Sequence, residues 1–268
     1  MPVITSQVLP AEVLQVISEV VIQEAENRRI GRNIVALERV DKGAQTYKYR
    51  KFTGFKKENV KVIPEGAEFP LEDIDFDEVT VDIQKIGSAF AVTREENLAN
   101  RIVSMAQLAR DKARVVALKE DELIITDLLN NAGATVAASA TWSSDTGNPY
   151  NDISNAMAKL EEYAYQANAL VLHPNEAADL RRIDANAKST YQKLIDGLGI
   201  TVYVTPQIST GTGLLLDKKQ AAALVIAEDI TTEGPVYDQR AQTYLVNVYE
   251  RIAVATWRPH AVVKLSGI

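Results

Sequence analysis

The stretch KYRKFTGFKKENVKVIPEGAEFPLEDIDFDEV, residues 48–79, changes the sign of its charge halfway along. From Lys42 to Lys61 the chain carries seven cations and one anion, and from Glu65 to Asp82 it carries eight anions and no cation. Strips of opposite charge can pair with each other or with complementary strips on another molecule. The stretch therefore predicts a segment that recognises a charged surface, either its own or a neighbour's.

Apolar and polar residues alternate through and beside this stretch, which is typical of strands. Past Ile83 the alternation slips by one residue, which predicts a bend or bulge near Lys85. The glycines and prolines between the alternating runs mark turns, so the pattern predicts a long hairpin. The hairpin carries few apolar residues at its tip and is too polar to bury itself in its own domain, and an isolated hairpin of this kind is only marginally stable in water. The runs are Tyr47 with Tyr49, Val60 with Val62, and Val79 with Val81 and Ile83.

The composition is that of a soluble globular protein. The chain has 268 residues, of which 46% are hydrophobic and 24% are charged, so it can bury a full core. Its formal charge of -7 gives no general reason to expect nucleic-acid or membrane affinity. It has no cysteine, which excludes disulfides, thiolate metal sites and cysteine catalysis. Because it also lacks a signal-peptide pattern and a long apolar run, we expect a soluble protein without membrane contact.

Two helices are predicted, one on each side of the hairpin. Residues 10–27 place apolar side chains at helical spacing behind a proline that suits a first turn. Residues 94–130 do the same over about nine or ten turns. Thr93 and Glu96 have the spacing of a capping box at the start of this second helix. A helix of this length is expected to act as a strut.

Three arginines follow the first helix within the segment NRRIGR, residues 27–32. One interpretation is a solvated helix end, where cations interact favourably with the helix dipole. The other is contact with an anionic surface or polymer. The candidates are Arg28, Arg29 and Arg32.

The second half of the chain predicts an α/β module. A helix at residues 153–164 precedes a buried strand at residues 169–173, and this strand leads into a helix that begins at Pro174. Further strands are predicted at residues 200–205, in GTGLLLD and AAALVIA at residues 211–227, and in a long terminal region broken near Pro259.

The sequence contains no convincing catalytic constellation. His173 and His260 lack a second histidine or a carboxylate at metal-ligand spacing. The serines and aspartate of residues 143–145 predict a turn, and the glycines of residues 209–213 predict a hairpin turn instead of a phosphate loop. The acidic residues 120–122 are interpreted as a solvated face or an intersubunit ion pair. We therefore expect no enzyme activity, no metal and no cofactor.

The order of these parts resembles that of the major capsid proteins of tailed viruses, which have the Hong Kong 97 fold. The likeness covers nearly the whole chain, and its most specific pieces are ANALVLHPNEAADLRRI at residues 167–183 and WRPHAVVKLSG at residues 257–267. It implies an α+β fold with an N-terminal arm at residues 1–40 and an extended E-loop at residues 41–85. It also implies a peripheral (P) domain with a spine helix, and an axial (A) domain. The P domain would comprise residues 86–167 and 246–268, with the terminal strand returning to it, and the A domain residues 168–245.

The resemblance implies that the E-loop lies across a neighbouring subunit. Exposed ion pairs contribute little affinity each, so the charges would set which edges meet while apolar contacts supply the binding. The alternative is a hairpin whose strands merely neutralise each other within one subunit. The intersubunit residues would be Lys48, Arg50, Lys51, Lys56, Lys57, Lys61, Glu65, Glu68, Glu72, Asp73 and Asp75.

The function implied is an icosahedral shell of pentamers and hexamers enclosing double-stranded DNA, in a virion assembled in the host cytoplasm. Under this interpretation Arg28, Arg29 and Arg32 would face the packaged DNA, and portal, scaffold or decoration proteins are further candidate partners. A helix that starts near residue 10 leaves no room for a large cleaved scaffolding segment. One alternative is the shell of an encapsulin nanocompartment around a cargo enzyme, which has the same fold. The other is an α/β enzyme that acts on a small molecule.

Overall fold

The computed structural model describes residues 11–52, 62–69, 77–95, 102–144, 146–181 and 197–268. Two β-sheets, a long helix and a two-stranded hairpin are its main parts. The α+β class predicted from the sequence is confirmed. The elements are α1 (Ala11–Arg28), α2 (Gly31–Ile34), β1 (Ala36–Arg39), β2 (Thr46–Lys51), β3 (Asp77–Asp82), β4 (Gln84–Thr93), α3 (Ile102–Asn130), β5 (Ala134–Ala137), α4 (Pro149–Glu161), β6 (Ala169–Leu172), α5 (Pro174–Arg181), β7 (Thr201–Val204), β8 (Thr212–Leu216), β9 (Ala222–Asp238), β10 (Thr243–Thr256), a 3-10 turn (Pro259–Ala261) and β11 (Val262–Ser266).

The first sheet has the strand order β1-β9-β10-β4, and α1 and α3 cover one of its faces. β9 and β10 form a long antiparallel ribbon, β4 pairs with the other edge of β10, and β1 runs parallel to β9. Successive side chains of β10 point to opposite faces, so Val246 and Val248 both point toward the helices. They share a buried cluster with Ile17, Val21 and Ala25, which recur every four residues on α1.

The long helix is confirmed from Ile102 to Asn130 as α3. Its buried residues Ala109, Ala113 and Val116 follow the spacing predicted from the sequence, and they pack in the same cluster as α1. Thr93 is the last residue of β4. Glu96, its predicted capping partner, lies outside the described residues.

The second sheet has the strand order β5-β11-β8-β6-β7. β6 lies inside this sheet, and all four of its residues are buried. This explains why its sequence is continuously apolar instead of alternating. α4 packs on β5, β8 and β11 through Ile153 and Leu160, and α5 adds Ala177 and Leu180 to the same core. The predicted strands and helices of the α/β module are therefore confirmed.

The predicted domain boundaries do not follow the two sheets. Residues 246–268 contribute β10 to the first sheet but β11 to the second, where β11 pairs with β8 and β5. β9, from the segment predicted as A domain, pairs along β10 in the first sheet. β10 pairs with β4 and β11 pairs with β5, and both partner strands come from residues 86–167, the region to which the terminal strand was expected to return. The chain crosses from one sheet to the other at the turn of residues 257–261. The division into P and A domains stays a prediction.

The glycines of residues 209–213 precede a strand, as predicted, but they do not form a hairpin. β7 and β8, which they connect, are separated in the sheet by β6. The prediction of a hairpin turn was wrong because strand neighbours are decided by long-range pairing, which local turn residues do not reveal.

The predicted hairpin is confirmed at its base, where β2 pairs antiparallel with β3. The strand is interrupted at Ile83, two residues before Lys85, near which the sequence predicted a bend or bulge. At this residue the chain stops pairing with β2 and starts pairing with β10. The slip in alternation therefore marks a change of strand partner.

Candidate assembly interface

The base of the hairpin is anchored on its own subunit. Tyr49 and Ile83 are buried in a cluster with Val225, Ala253 and Ala255 of the first sheet. By alternation along β10, Ala253 and Ala255 point away from the face that contacts α1 and α3. The expectation that the hairpin cannot bury itself in its own domain is therefore wrong for its base. Four of its aromatic and β-branched residues supply the apolar side that a polar strand pair needs, and these are Tyr47, Tyr49, Val79 and Val81.

Hydrogen bonds also fix this base. The Arg251 guanidinium donates to the backbone carbonyls of Lys42 and Ala44, which begin the hairpin. The Tyr47 hydroxyl donates to Glu38 Oε2 at 2.6 Å, and Lys51 Nζ donates to Asn131 Oδ1 at 3.2 Å. Burial and the Glu38 hydrogen bond raise the pKa of Tyr47 to about 12, so this hydroxyl remains a donor at neutral pH.

Where β2 pairs with β3, the described ends of the two charged strips face each other, but few ion pairs form between these residues. Arg50 lies opposite Glu78 and Lys51 opposite Asp77 in the β2–β3 register. Arg50 Nε is 3.7 Å from a Glu78 carboxylate oxygen, and both side chains are largely exposed. Such a pair contributes about 0 to 1 kcal/mol. Neutralisation within one subunit is therefore at most a weak stabilising effect.

Beyond the base, the chain presents two strongly exposed apolar side chains. Val62 is 99% exposed and Phe69 is 80% exposed. Glu65 and Glu68 lie between them and are also exposed. Both residues lie in the segment between β2 and β3 that is predicted to contact a neighbour, and their exposure leaves them available for such a contact. Of the predicted contact residues, Lys48, Arg50, Glu65 and Glu68 are exposed and Lys51 is half-buried, while the others lie outside the described residues: Lys56, Lys57, Lys61, Glu72, Asp73 and Asp75.

A second exposed apolar pair lies near the end of the β9–β10 ribbon. Val236 and Leu245 are direct cross-strand partners, and they are 59% and 36% exposed. Both lie on the sheet face opposite α1 and α3. This pair was not identified from the sequence, although Leu245 alternates with the inward-facing Val246 and Val248.

Behind the hairpin, two of the three candidate arginines lie in a buried charge cluster, which consists of Arg29, Arg32, Glu120, Asp229 and Glu250. Arg29 Nε is 3.0 Å from Glu120 Oε2, and Arg29 Nη2 is 2.5 Å from Glu250 Oε2. Arg32 contacts Glu120 through Nε and Asp229 through Nη2, both at 2.8 Å. Through these ion pairs, the segment that follows α1 is held against α3, β9 and β10.

This cluster corrects two interpretations of the sequence. Glu120 is 0% exposed and Asp121 is 1% exposed, so the prediction of a solvated face or intersubunit pair is wrong for both. Arg29 is also buried, and neither a solvated helix end nor a DNA contact describes it. The Arg32 guanidinium donates hydrogen bonds to carboxylates of its own subunit. Only Arg28, which pairs with Glu24 on the surface of α1, keeps its place as a candidate for lumen or DNA contact.

Asp121 of α3 also holds residues 28–34, the corner of the chain that follows α1. Its carboxylate accepts hydrogen bonds from the backbone N–H of Gly31 at 2.7 Å and of Ile30 at 3.1 Å. A Cβ at position 31 would collide with Ile124 and come within 2.8 Å of an Asp121 oxygen. Glycine therefore fits here without displacing the side chains of α3, whereas any larger residue would push Ile124 and Asp121 aside.

Burial and neighbouring charges shift the pKa values of the cluster in different directions. Burial, the adjacent Glu120 charge and a hydrogen bond with it raise the pKa of Glu250 to about 9, against the attraction of Arg29. Burial raises the pKa of Asp121 to about 6. Burial alone would raise the pKa of Asp229, but hydrogen bonding and attraction from Arg32 lower it.

Glu250 and Asp229 were not identified from the sequence, although Glu250 gives a signal. It occupies the position that continues the buried alternation of Val246 and Val248 on β10. A charged residue at a core position of a strand indicates a buried partner. The identity of that partner depends on packing between distant segments.

Both histidines make contacts within the fold. His173 Nδ1 accepts a hydrogen bond from Asn175 N–H and is 3.4 Å from Glu176, and the His260 ring stacks on Tyr163. The described residues contain no group of three histidines or acidic residues able to hold a metal ion. None of the described helices combines the length and the apolar character needed to cross a membrane.

Comparison with known proteins agrees with this architecture. The model of a phage capsid protein family matches residues 77–265. The chain belongs to this family. A search of curated proteins found no match to its sequence. The matched range contains β3, α3 and both sheets apart from β1, which are the parts described above.

Solved structures extend the likeness to nearly the full chain. The virus-like particle from Pyrococcus furiosus has 15% identity and a TM-score of 0.72, covering 95% of this chain and 100% of that one. The capsid of Myoviridae phage XM1 has 15% identity and a TM-score of 0.63, covering 87% and 90%. A structure from Mycobacterium phage Bobi has 13% identity and a TM-score of 0.65, covering 98% and 92%. The Hong Kong 97 fold implied by the sequence resemblance is confirmed.

Proposed function

We propose that copies of this chain assemble into a closed icosahedral shell, in which the chain has a structural and non-catalytic role. The observation that carries this proposal is the hairpin. Its base is fixed to the subunit by apolar packing and by Arg251, whereas Val62 and Phe69 beyond the base are exposed. A firmly anchored segment with exposed apolar residues suits contact with a neighbouring copy.

In such a contact, apolar burial supplies most of the affinity. Complete burial of a phenylalanine or valine side chain contributes about 1.5 to 3 kcal/mol. The exposed charges of the hairpin contribute less each, and their role is to select the register and the partner edge. In a closed symmetric shell of pentamers and hexamers, each contact repeats many times, so modest contacts add up to a stable particle.

The proposed content is double-stranded DNA, which would make the shell the capsid of a virion assembled in the host cytoplasm. Family membership supports this content. Arg28 is the remaining candidate from the arginine segment, and its contact with DNA would be independent of base sequence and sensitive to salt. Portal, scaffold or decoration proteins are the further partners expected of such a capsid.

The second candidate is an encapsulin-type nanocompartment that encloses a cargo enzyme. The exposed surface of α1 favours it, because that surface presents Ile22 between the acidic residues Glu19 and Glu26. An apolar residue flanked by carboxylates suits a peptide contact better than a DNA contact. This surface would line the lumen in either kind of shell.

The test is to express the chain, measure its size by size-exclusion chromatography and electron microscopy, and analyse the contents of any particles. Shells that contain nucleic acid resistant to added nuclease support the capsid. Shells that copurify with one enzyme and no nucleic acid favour the nanocompartment. A stable monomer at high concentration would refute assembly, and turnover of a small molecule by that monomer would support the enzyme alternative.

A further inference from the structure

The buried charge cluster contains three carboxylates, those of Glu120, Asp229 and Glu250, but two guanidinium groups, those of Arg29 and Arg32. Glu120 contacts both Arg29 and Arg32. Asp229 contacts Arg32 and is partly exposed to water. Glu250 contacts Arg29 through Oε2 only, whereas its Oε1 is buried without a hydrogen-bond partner among the described residues. As an anion, Glu250 would therefore have one oxygen that neither water nor protein solvates.

An unsolvated carboxylate oxygen in the protein interior is costly, and the usual outcome is that the group stays protonated. With Glu250 neutral, the two arginines balance Glu120 and Asp229. Asp121, next to this group on α3, is served by the N–H groups of Gly31 and Ile30. Arg39 also approaches Asp229, but its side chain is largely exposed. The two buried guanidinium groups therefore match two anions only while Glu250 carries a proton.

We propose that this cluster is a proton-dependent latch. While Glu250 is protonated, it holds the corner of residues 28–34 against α3 and the first sheet. Loss of that proton places a third anion beside Glu120 and Asp229, and the corner is released. The inference goes beyond shell assembly, since it concerns the fold of one subunit.

The groups that face Glu250 come from every neighbouring element. Arg29 and Arg32 approach from the corner, Glu120 and Asp121 lie on α3, and Asp229 lies on β9 with Arg39 of β1 at 3.7 Å. On β4 the residue opposite Glu250 is the uncharged Ile86. Arg29 and Arg32 both face Glu250, but Arg29 is shared with Glu120, and Arg32 is shared with Glu120 and Asp229.

The direction of the pH effect follows from the raised pKa. Folding then favours the protonated carboxyl, so this contribution to stability is complete below the ordinary value of 4.5 and is lost as the pH rises toward about 9. Each pH unit in this window changes the folding equilibrium by a factor of up to about 10. Acid should therefore tighten the corner and mild alkali should loosen it.

The experiment is hydrogen exchange of the purified chain between pH 6 and pH 10, corrected for the intrinsic pH dependence of exchange. We expect peptides covering residues 28–35 to lose protection at alkaline pH by at least tenfold more than peptides covering β6. Glu250→Gln keeps the shape and stays neutral, so this variant should show no extra loss. Its protection near pH 9 should exceed that of the unmodified chain.

Glu233→Gln is the matched control, because Glu233 is an exposed carboxylate on the same β9–β10 ribbon. It should behave like the unmodified chain. An equal alkaline loss in Glu250→Gln and the unmodified chain would overturn the latch, as would unchanged protection up to pH 10. Hydrogen exchange can be measured on monomers or on shells. A negative result for the latch therefore does not refute assembly, and a failure to assemble does not refute the latch.

Discussion

On the hairpin, Arg50 and Glu78 approach to 3.7 Å at the surface, whereas Arg32 of α2 and Glu120 of α3 approach to 2.8 Å in the interior. The same residue types occur in both regions, but the first pair is largely exposed to water, whereas Arg32 is mostly buried and Glu120 is fully buried. At the surface, solvent screens the charges and either partner can be lost at little cost. In the interior, removal of one partner leaves the other charged and unsolvated. The comparison teaches that the described charges of the charge-rich segment contribute little to the fold, whereas charges scattered along the chain hold it together.

The largest effect is expected from Glu120→Ala, which removes the carboxylate that Arg29 and Arg32 share. Loss of one partner from a buried ion pair costs about 3 to 5 kcal/mol of stability. Urea denaturation measures this loss. Glu122→Ala, two residues along α3 and paired only with Lys119 at the surface, is the control and should change stability by less than about 1 kcal/mol. Equal effects of the two changes would contradict the distinction between the regions.

A smaller effect is expected from Gly31→Ala, which keeps every charge but pushes α2 away from α3. Overpacking of this kind costs about 1 to 3 kcal/mol. The same denaturation measurement applies. Gly43→Ala serves as the control because nothing lies within 4 Å of a Cβ built there. If Gly31→Ala leaves stability unchanged, the close packing of the corner is not needed for the fold.

Phe69→Ser tests the hairpin through assembly. Since Phe69 is exposed in the subunit, the change should leave the denaturation midpoint of the free chain unaltered. Each interface should lose about 1.5 to 3 kcal/mol if the ring is buried between copies. Light scattering at increasing concentration would then show assembly shifted to higher protein concentration by tenfold or more. Assembly at the original concentration would remove Phe69 from the interface.

The smallest effect is expected from the surface pair itself. Arg50→Glu should reduce the stability of the subunit by no more than about 1 kcal/mol. The double change Arg50→Glu with Glu78→Arg should restore it. Assembly yields of the single and double variants, compared at low and high salt, separate pairing within the hairpin from pairing between copies. If the double variant recovers stability but not assembly, the strips recognise a neighbour.

Much of the fold could be predicted because its local signals are strong. Alternation in β2, β3 and β10, the four-residue repeat on α1 and the proline that opens α5 each report a local physical constraint. The slip in alternation past Ile83 was also visible, although the sequence could not show that it marks a change from pairing with β2 to pairing with β10. Strand neighbours in the second sheet were inaccessible for the same reason, since they depend on pairing across long separations.

The site was predicted less well, and the errors share a cause. A run of charged residues was interpreted as exposed because charge usually lies at the surface. Glu120 and Arg29 are exceptions, since each is compensated by a residue far away along the chain. The base of the hairpin was expected not to be buried in its own domain, but it is, because the apolar surface on which it packs comes from β9 and β10.

The direct passage from hairpin to sheet has a mechanical consequence. β3 leads into β4 through the single residue Ile83, and the 10 residues of β4 pair with β10 along their whole length. A pull on the hairpin tip is therefore transmitted along the strand axis, so that the hydrogen bonds between β4 and β10 are loaded in shear. Hydrogen bonds loaded in shear must break together, so the two-stranded hairpin can bear tension without peeling β4 away from β10.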